Sequence, residues 1–299
     1  MSLPRCPACR GEELPLFLTE AEVAGELEAR ERFFLERLDR DLPAAQLRDI
    51  TDVALGTPAP IVRCARCGTL IRESDEASFR EDVYDPRALE AIHQSHVAAF
   101  RRKKAQFDGL LEPGARVIEI GSYVGGFAQI AAEIRWRIAA VDIGPETARF
   151  TRSLGIPTLE TSFEEGPFDE DSIDGVFVWN CFEQLSSPRR TVAAIARTLR
   201  RHGLLIVRVP DARLYAAHSS LRILAYNGFL GWPHRFGYDI PALRRLCEAS
   251  DLRFVSARRS RAMRPHRASM HRWAQAEEIA AMSDPAARGW LEVTFEKAA

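Results

Sequence analysis

Four cysteines in the first 70 residues form two pairs, in the segments CPAC and CARCG, with two residues between the members of each pair. Two thiolates at this spacing on a tight turn can both reach one tetrahedral Zn²⁺, and a second pair completes the shell of ligands. A shell of four thiolates leaves no open position, so the spacing predicts a structural metal. The alternative is two unrelated pairs of reduced thiols. The predicted zinc ligands are Cys6, Cys9, Cys64 and Cys67.

The segment between the two pairs is predicted to be mainly helical. Thr19, with Glu22 three residues later, forms a capping box, and apolar residues follow it at helical spacing. We therefore expect residues 1–84 to form a small zinc-ribbon-like domain with a helical insert. Residues 85–299 are expected to form a second domain.

The stretch EIGSYVGGF, residues 119–127, is the second place where residue type and spacing indicate chemistry. A dinucleotide site of the G-x-G-x-x-G type needs glycine at position 123, where the backbone approaches a pyrophosphate, and Tyr123 stands there. S-adenosylmethionine has no pyrophosphate and does not need that glycine. Asp142, about twenty residues downstream, is suitably placed to accept hydrogen bonds from the ribose of such a ligand. The pattern favours S-adenosylmethionine over NAD.

The elements that must position these residues alternate between strand and helix from residue 115 onwards. This alternation predicts an α/β fold: a Rossmann-like, three-layer αβα domain with a seven-stranded, mostly parallel sheet. Ligands of such sheets bind beyond the carboxyl ends of the strands. The glycine-containing turn and Asp142 are both expected at that edge.

Residues 85–299 resemble the class I S-adenosylmethionine-dependent methyltransferases. VIEIGSYVGGFAQIA is similar to their first motif, AAVDIG to their second-strand acidic motif, and TSFEEGPFDEDSIDGVFVWNCFEQLSSP to a third conserved stretch. The resemblance implies that Ser162 and Phe163 lie beside the adenine, and that Asn180 and Cys181 lie near the methionine moiety. The other residues implied in cofactor binding are Glu119, Gly121, Tyr123, Gly125, Asp142 and Ile143.

This chain departs from the family pattern at two positions. Ser162 stands where the family usually has Asp, and Gln184 stands where many relatives have His. The cysteine pairs in front of the domain resemble the zinc-binding domain of sugar C-methyltransferases that act on nucleotide-linked deoxysugars.

The segment after the fifth predicted strand, residues 210–239, is rich in polar aromatic side chains and in the family often covers the methyl acceptor. His234 and Tyr238 are the candidates for a base or a substrate-positioning group, because GWPHRFGY has the Pro and Gly of an ordered loop. The alternative is plain packing of this segment. Cys181 is not expected to be a nucleophile, because WNCFEQL lacks the Pro-Cys context of RNA cytosine methyltransferases.

Seven arginines and no acid lie between Arg253 and Arg272. Such a stripe could contact the phosphates of RNA or of a nucleotide-linked acceptor. A solvated connection, balanced by acids elsewhere in the chain, is the favoured interpretation.

The sequence thus predicts a methyltransferase that acts on a small or carrier-linked metabolite, such as a nucleotide-sugar or a natural-product precursor. An RNA methyltransferase and a catalytically degenerate, zinc-dependent binding module are the alternatives. The 299 residues carry a net charge of -1 and include no membrane-length apolar run or signal peptide. We therefore expect a cytoplasmic monomer or homodimer that does not bind membranes or nucleic acid.

Overall fold

The computed structural model describes residues 5–37, 58–72, 86–213, 234–260 and 289–298. Its strands are β1 (Leu16–Leu18), β2 (Ile61–Arg63), β3 (Leu70–Arg72), β4 (Arg116–Ile120), β5 (Arg137–Asp142), β6 (Thr158–Glu160), β7 (Ile173–Trp179), β8 (Leu199–Pro210), β9 (Phe236–Gly237), β10 (Leu252–Ser260) and β11 (Trp290–Lys297). Its α-helices are α1 (Glu20–Arg37), α2 (Pro86–Arg101), α3 (Gly126–Glu133), α4 (Pro145–Ser153), α5 (Pro188–Thr198) and α6 (Ile240–Glu248).

Seven of these strands form one sheet in the order β10-β11-β8-β7-β4-β5-β6. The five strands from β8 to β6 are parallel, whereas β11 runs antiparallel to both of its neighbours. Every residue of the central strand β7, IDGVFVW, is buried, as expected for a parallel strand that is covered on both faces. The predicted seven-stranded, mostly parallel sheet is confirmed.

Helices cover both faces of this sheet. On one face, apolar residues of β4, β7 and β8 pack with Val192 of α5 and with Leu243 of α6. On the other face, Phe177 and Trp179 of β7 pack with Phe100 of α2 and with Phe127 of α3. The arrangement is the expected three-layer αβα domain.

The second sheet is antiparallel and has the order β1-β2-β3-β9. Its fourth strand, β9, comes from the segment that follows β8, and it pairs with β3 through Leu70 opposite Gly237 and Ile71 opposite Phe236. The amino-terminal segment therefore shares a sheet with the part of the chain that carries the Rossmann-like domain.

The capping box predicted at the start of α1 is confirmed. The N–H of Thr19 donates to Oε2 of Glu22 at 2.8 Å, and the N–H of Glu22 donates to Oγ1 of Thr19 at 3.2 Å. The remainder of the predicted helical insert, residues 38–57, lies outside the described residues. Within the described ranges, no helix has the length and apolarity needed to cross a membrane.

Candidate functional site

The turn between β4 and α3 contains three residues in the left-handed region: Gly121 (φ 68°), Tyr123 (φ 49°) and Gly125 (φ 66°). Glycine adopts this conformation without strain, whereas a residue with a Cβ pays about 1 kcal/mol or more. The backbone of the turn therefore has a conformation that favours glycine even at Tyr123. The ring of Tyr123 lies 5.7 Å from the ring of His96 on α2.

Asp142 ends β5 and faces this turn. Its carboxylate accepts hydrogen bonds from Tyr123 N–H at 2.7 Å, Gly144 N–H at 2.9 Å and Thr147 Oγ1 at 3.0 Å. Burial raises the pKa of Asp142, while these three donors oppose the rise. A carboxylate offers about four acceptor sites, so one remains available for a ligand hydroxyl. The next residue, Ile143, is 56% exposed and lies at the same edge of the sheet.

Two buried polar groups beside the turn have no hydrogen-bond partner in the part of the chain that the structure describes. They are Oε2 of Glu119, at the end of β4, and Oγ of Ser122. Burial, and secondarily the charge of Asp142, raises the pKa of Glu119 well above its ordinary value. Unsatisfied buried polar atoms are uncommon in native proteins and call for a partner. These atoms fit a ligand with hydrogen-bond donors or an ammonium group, as S-adenosylmethionine has.

The loop that follows β7 closes against the turn. A Cβ added to Gly121 would lie 2.7 Å from Cβ of Cys181, so only glycine leaves room for this approach. Burial raises the pKa of the Cys181 thiol, which keeps the sulfur protonated and agrees with the expectation that it is not a nucleophile.

Asn180 has a positive φ of 55° and is held by a group that the sequence analysis did not single out. The side chain of Arg208 on β8 donates to Oδ1 of Asn180, and Gln184 donates to the carbonyl of Asn180 at 2.9 Å. Arg208 is fully buried, lies 4.3 Å from the ring centre of Trp290, and has its Nε 3.5 Å from Glu292.

Glu292 on β11 also binds the side chains of Lys103 and Arg258. Burial, with the nearby charge of Arg208, lowers the pKa of Lys103 to about 8. This network could not be predicted from a single Arg or Glu in an apolar strand, because the partners belong to strands that are far apart in the sequence.

Helix α2 is fixed directly on the turn. His93 lies 2.7 Å from the carbonyl of Val124 through Nδ1 and 2.8 Å from Oε1 of Gln129 through Nε2. A Cβ added to Gly126 would lie 2.5 Å from Cβ of His96. Both ring nitrogens of His93 are thus used to hold α2 against the site.

The predicted adenine residues lie at the start of a short 3-10 helix, Phe163–Glu165. Phe163 is buried, and its ring stacks on that of Phe168 with centroids 4.8 Å apart. Ser162 is partly exposed and precedes this helix in an extended conformation. The cofactor roles assigned to these two residues stay predictions.

His234 and Tyr238 are both buried. Nε2 of His234 lies 3.3 Å from Oε1 of Glu183, in the loop after β7. Tyr238 is wholly inaccessible, packs on Phe182, and has a hydroxyl without a hydrogen-bond partner among the described residues. Burial raises its pKa well above the ordinary value. Their catalytic roles stay predictions.

The four predicted zinc ligands come together, with all of their sulfur atoms within 4.8 Å of one another. The Sγ atoms of Cys6 and Cys67 are 3.7 Å apart, and those of Cys9 and Cys64 are 3.5 Å apart. Sulfur ligands about 2.3 Å from a tetrahedral zinc would be separated by similar distances. The hydrogen bond between Cys6 and Cys67 lowers the pKa of Cys67 to about 4 and raises that of Cys6, while burial raises the pKa of Cys9 to about 11. Of these three sulfurs, only Cys67 favours the thiolate form without a metal. The donor set fits Zn²⁺.

This cysteine cluster is built into the large domain. Its sulfurs belong to the same apolar core as Phe182, Tyr238 and Leu243. Arg245 of α6 donates to the carbonyl of Arg66, between the second pair of cysteines, at 2.5 Å. The packing joins the two parts of the chain.

The described arginines of the basic stripe all have acidic partners. Arg253 pairs with Glu296 at 3.1 Å, and Arg259 pairs with Asp211 at 3.2 Å. Arg258 binds Glu292, as noted above. The acids that balance these three residues lie on β11 and directly after β8, and the other four arginines lie outside the described ranges.

Three comparisons with known proteins agree with this geometry. A chain from a Haloferax volcanii complex, described as the Trm112 methyltransferase activator with a protein assigned as a methyltransferase, has a TM-score of 0.54 at 17% identity, covering 72% of this chain and 94% of that one. A Listeria monocytogenes protein described as an S-adenosylmethionine-dependent methyltransferase has a TM-score of 0.50 at 12% identity, with coverages of 68% and 98%. Both likenesses concern the fold.

Among curated proteins, an uncharacterized protein of Methanocaldococcus jannaschii is 27% identical over 122 residues, which is 41% of this chain. The match spans about half (54%) of that relative's length. The family model described as a methyltransferase domain matches residues 91–257, more than half of the 299 residues. The chain therefore belongs to this methyltransferase-domain family.

Proposed function

We propose that this protein transfers a methyl group from S-adenosylmethionine to a small or carrier-linked metabolite. The observation that carries the proposal is the carboxylate of Asp142, held by Tyr123 N–H at 2.7 Å beside the unsatisfied polar atoms of Glu119 and Ser122. A degenerate binding module would have no need to keep these costly buried groups. The presence of both Glu119 and Asp142 therefore supports a working cofactor site.

The cofactor supplies an electrophilic methyl group on a sulfonium centre. Asp142 would hold the ribose and exposed Ile143 the adenine, while Glu119 and the Asn180–Cys181 loop would hold the methionine moiety. The protein's main contribution is alignment of the acceptor with the methyl group and exclusion of water. His234 is proposed as the base when the acceptor must lose a proton, and Tyr238 as a buried support.

We further propose that Cys6, Cys9, Cys64 and Cys67 bind one structural Zn²⁺. The proposal rests on the 4.8 Å sulfur cluster, in which four thiol donors leave no position for substrate. In this view residues 1–84 form the zinc-bearing unit and residues 85–299 the catalytic unit, with β9 as the strand that joins them. The zinc would stabilise the part of the core beside Phe182 and Tyr238.

A metabolite acceptor is proposed in preference to RNA. Three arginines of the stripe are engaged by Glu296, Glu292 and Asp211, which leaves less net positive charge for a phosphate backbone. A nucleotide-sugar or a natural-product precursor would fit the resemblance of the cysteine pairs to those of sugar C-methyltransferases.

Titration calorimetry with S-adenosylhomocysteine tests the central proposal. The zinc-loaded full chain should bind it with a Kd in the micromolar range, which is about 8 kcal/mol of binding free energy at 1 μM. Glu170→Gln, which changes a carboxylate in an exposed ion pair with Arg197 before the amino end of β7, is the matched control and should bind equally well. A folded, zinc-loaded chain without affinity would favour the degenerate binding module.

A further inference from the structure

Glu183 is a buried acid that the sequence analysis did not assign to the site. It lies in the 3-10 helix Phe182–Gln184, directly after Asn180 and Cys181, and its side chain is wholly inaccessible. Neither carboxylate oxygen has a hydrogen-bond partner within the described ranges. A carboxylate in this state is costly unless an opposite charge lies nearby or the group takes up a proton.

One such group is His234. Its Nε2 lies 3.3 Å from Oε1 of Glu183, and both side chains are almost completely buried. The backbone holds the pair together, because the N–H of Arg235 donates to the carbonyl of Glu183 at 2.8 Å. The two residues are 51 positions apart in sequence and come from segments after β7 and after β8.

An ordinary structural ion pair is the alternative explanation for Glu183. Its charge acts on Arg208, Cys181 and Tyr238, but Arg208 already has Glu292 as an acidic partner. Where no proton transfer is involved, a well-packed apolar side chain in place of a buried ion pair is often neutral or stabilising. An acid kept beside a histidine at the carboxyl end of β7 therefore indicates a role at the site.

We propose that Glu183 is a positioning residue for His234, and that the methyl acceptor is a molecule whose methylated atom carries hydrogen, a hydroxyl or an amine. The inference rests on the proposed function and deepens it. As the acceptor heteroatom bonds to the methyl carbon, the carbon–sulfur bond breaks and its electron pair stays on sulfur. The proton leaves the heteroatom for the imidazole of His234, and the carboxylate of Glu183 neutralises the imidazolium that results.

The test uses the full zinc-loaded chain labelled with ¹⁵N-histidine, saturated with S-adenosylhomocysteine. Long-range ¹H–¹⁵N spectra report the tautomer of His234, which is assigned with a His234→Gln variant. Wild type should show the tautomer protonated at Nε2, toward Glu183, and Glu183→Met should lose this preference. Glu183→Gln, which keeps an acceptor oxygen, should retain it in part. Glu170→Gln, at an exposed ion pair before the amino end of β7, should behave as wild type.

A second readout follows transfer of a ¹³C-methyl group from labelled S-adenosylmethionine into a cell metabolite extract, between about pH 6 and pH 9. Glu183→Met should lower the rate about 100-fold, which is the scale of general-base catalysis, and should flatten the pH dependence of the rate. The affinity for S-adenosylhomocysteine should stay within about twofold of wild type. The expected products are methyl ethers or methylamines.

Three results would overturn the inference. One is an identical His234 tautomer in wild type and Glu183→Met. Another is a parallel loss of S-adenosylhomocysteine affinity and of folding stability in both Glu183 variants, which would make the role structural. The third is transfer to carbon or to an atom without hydrogen. If wild type binds no S-adenosylhomocysteine, the proposed function fails, and the tautomer spectra without ligand still decide whether Glu183 orients His234.

Discussion

The backbone N–H of Tyr123 donates a 2.7 Å hydrogen bond to Oδ2 of Asp142. The bond joins the turn after β4 to the end of the neighbouring parallel strand β5. Because the donor belongs to the backbone, the tyrosine side chain takes no part in it, and the ring lies toward His96 instead. Tyrosine can therefore stand where a dinucleotide site needs glycine, without removing the contact that orders the acidic residue.

Asp142→Asn should weaken S-adenosylhomocysteine binding at least tenfold. An amide has one acceptor oxygen, so its NH₂ group would have to face one of the N–H or O–H donors that now bind the carboxylate, at a cost of about 1–3 kcal/mol. Calorimetry measures the affinity. Tyr123→Gly is the matched comparison, since it keeps the backbone donor and removes a side chain from a left-handed position. It should bind within about threefold of wild type. Equal weakening in both variants would contradict this account of the bond.

Cys64→Ser should remove the bound metal. Elemental analysis of wild type should give one zinc per chain, and the variant should give much less, because a hydroxyl is a poor replacement for a thiolate. The loss should also lower the thermal midpoint, since the cluster is part of the core that contains Phe182 and Tyr238. Cys247→Ala, at a buried cysteine outside the cluster, should change the midpoint but not the zinc content. A zinc-free wild type would refute the metal assignment.

Gly121→Ala should impair both folding and cofactor binding. The added Cβ would lie 2.7 Å from Cβ of Cys181 and would have to adopt a φ of 68°. The left-handed conformation alone costs about 1 kcal/mol, and the overlap adds to it. Adding Cys181→Gly removes the overlapping atoms, so the double variant should recover part of the unfolding free energy measured in urea. Strictly additive losses would show that the two positions do not meet.

Glu292→Gln should lower the unfolding free energy at pH 7 by about 3–5 kcal/mol, because it leaves Arg208 buried without its carboxylate. Burial opposes ionisation of Glu292, but Lys103, Arg208 and Arg258 outweigh it and lower its pKa below the ordinary 4.5. This stabilisation is present above pH 4.5 and is lost as the pH falls through the folded-state value.

Urea titrations at several pH values check the expected acid dependence of the Glu292 contribution. The difference between wild type and Glu292→Gln should shrink as the pH drops below about 4.5. Glu160→Gln, at an exposed pair with Arg152, should cost less than about 1 kcal/mol at any pH. A constant difference across the acid range would argue against a charged Glu292.

The features that were predicted correctly depend on residues that are close together in the sequence. The sheet follows from the alternation of predicted strands and helices. The capping box follows from Thr19 and Glu22, and the cysteine cluster follows from the spacing within each pair. The position of Asp142 beside the turn was predicted because the carboxyl ends of parallel strands meet at one edge of the sheet, and its role toward a ligand stays a prediction.

The features that sequence reasoning missed depend on contacts between distant segments. Arg208 stands in the apolar run LLIVRVP, and its partner Glu292 lies 84 residues later. Likewise, β9 is only two residues long and acquires its identity by pairing with β3. Glu183 was visible within the motif WNCFEQL, but its relation to His234 arises only when the segments after β7 and β8 fold together.

The strand β10 is at the end of the strand order of the large sheet, and its arginines therefore have a consequence other than phosphate binding. The backbone N–H and C=O groups of an edge strand can pair with a strand of another molecule, which promotes aggregation. Arg253, Arg258 and Arg259 place cations along this outer strand, and each is paired with an acid of β11 or with Asp211, directly after β8. Pairing two copies edge to edge would require these charged groups to lose solvent even where each has an acidic partner, so the arginines make continuation of the sheet into a second molecule less favourable.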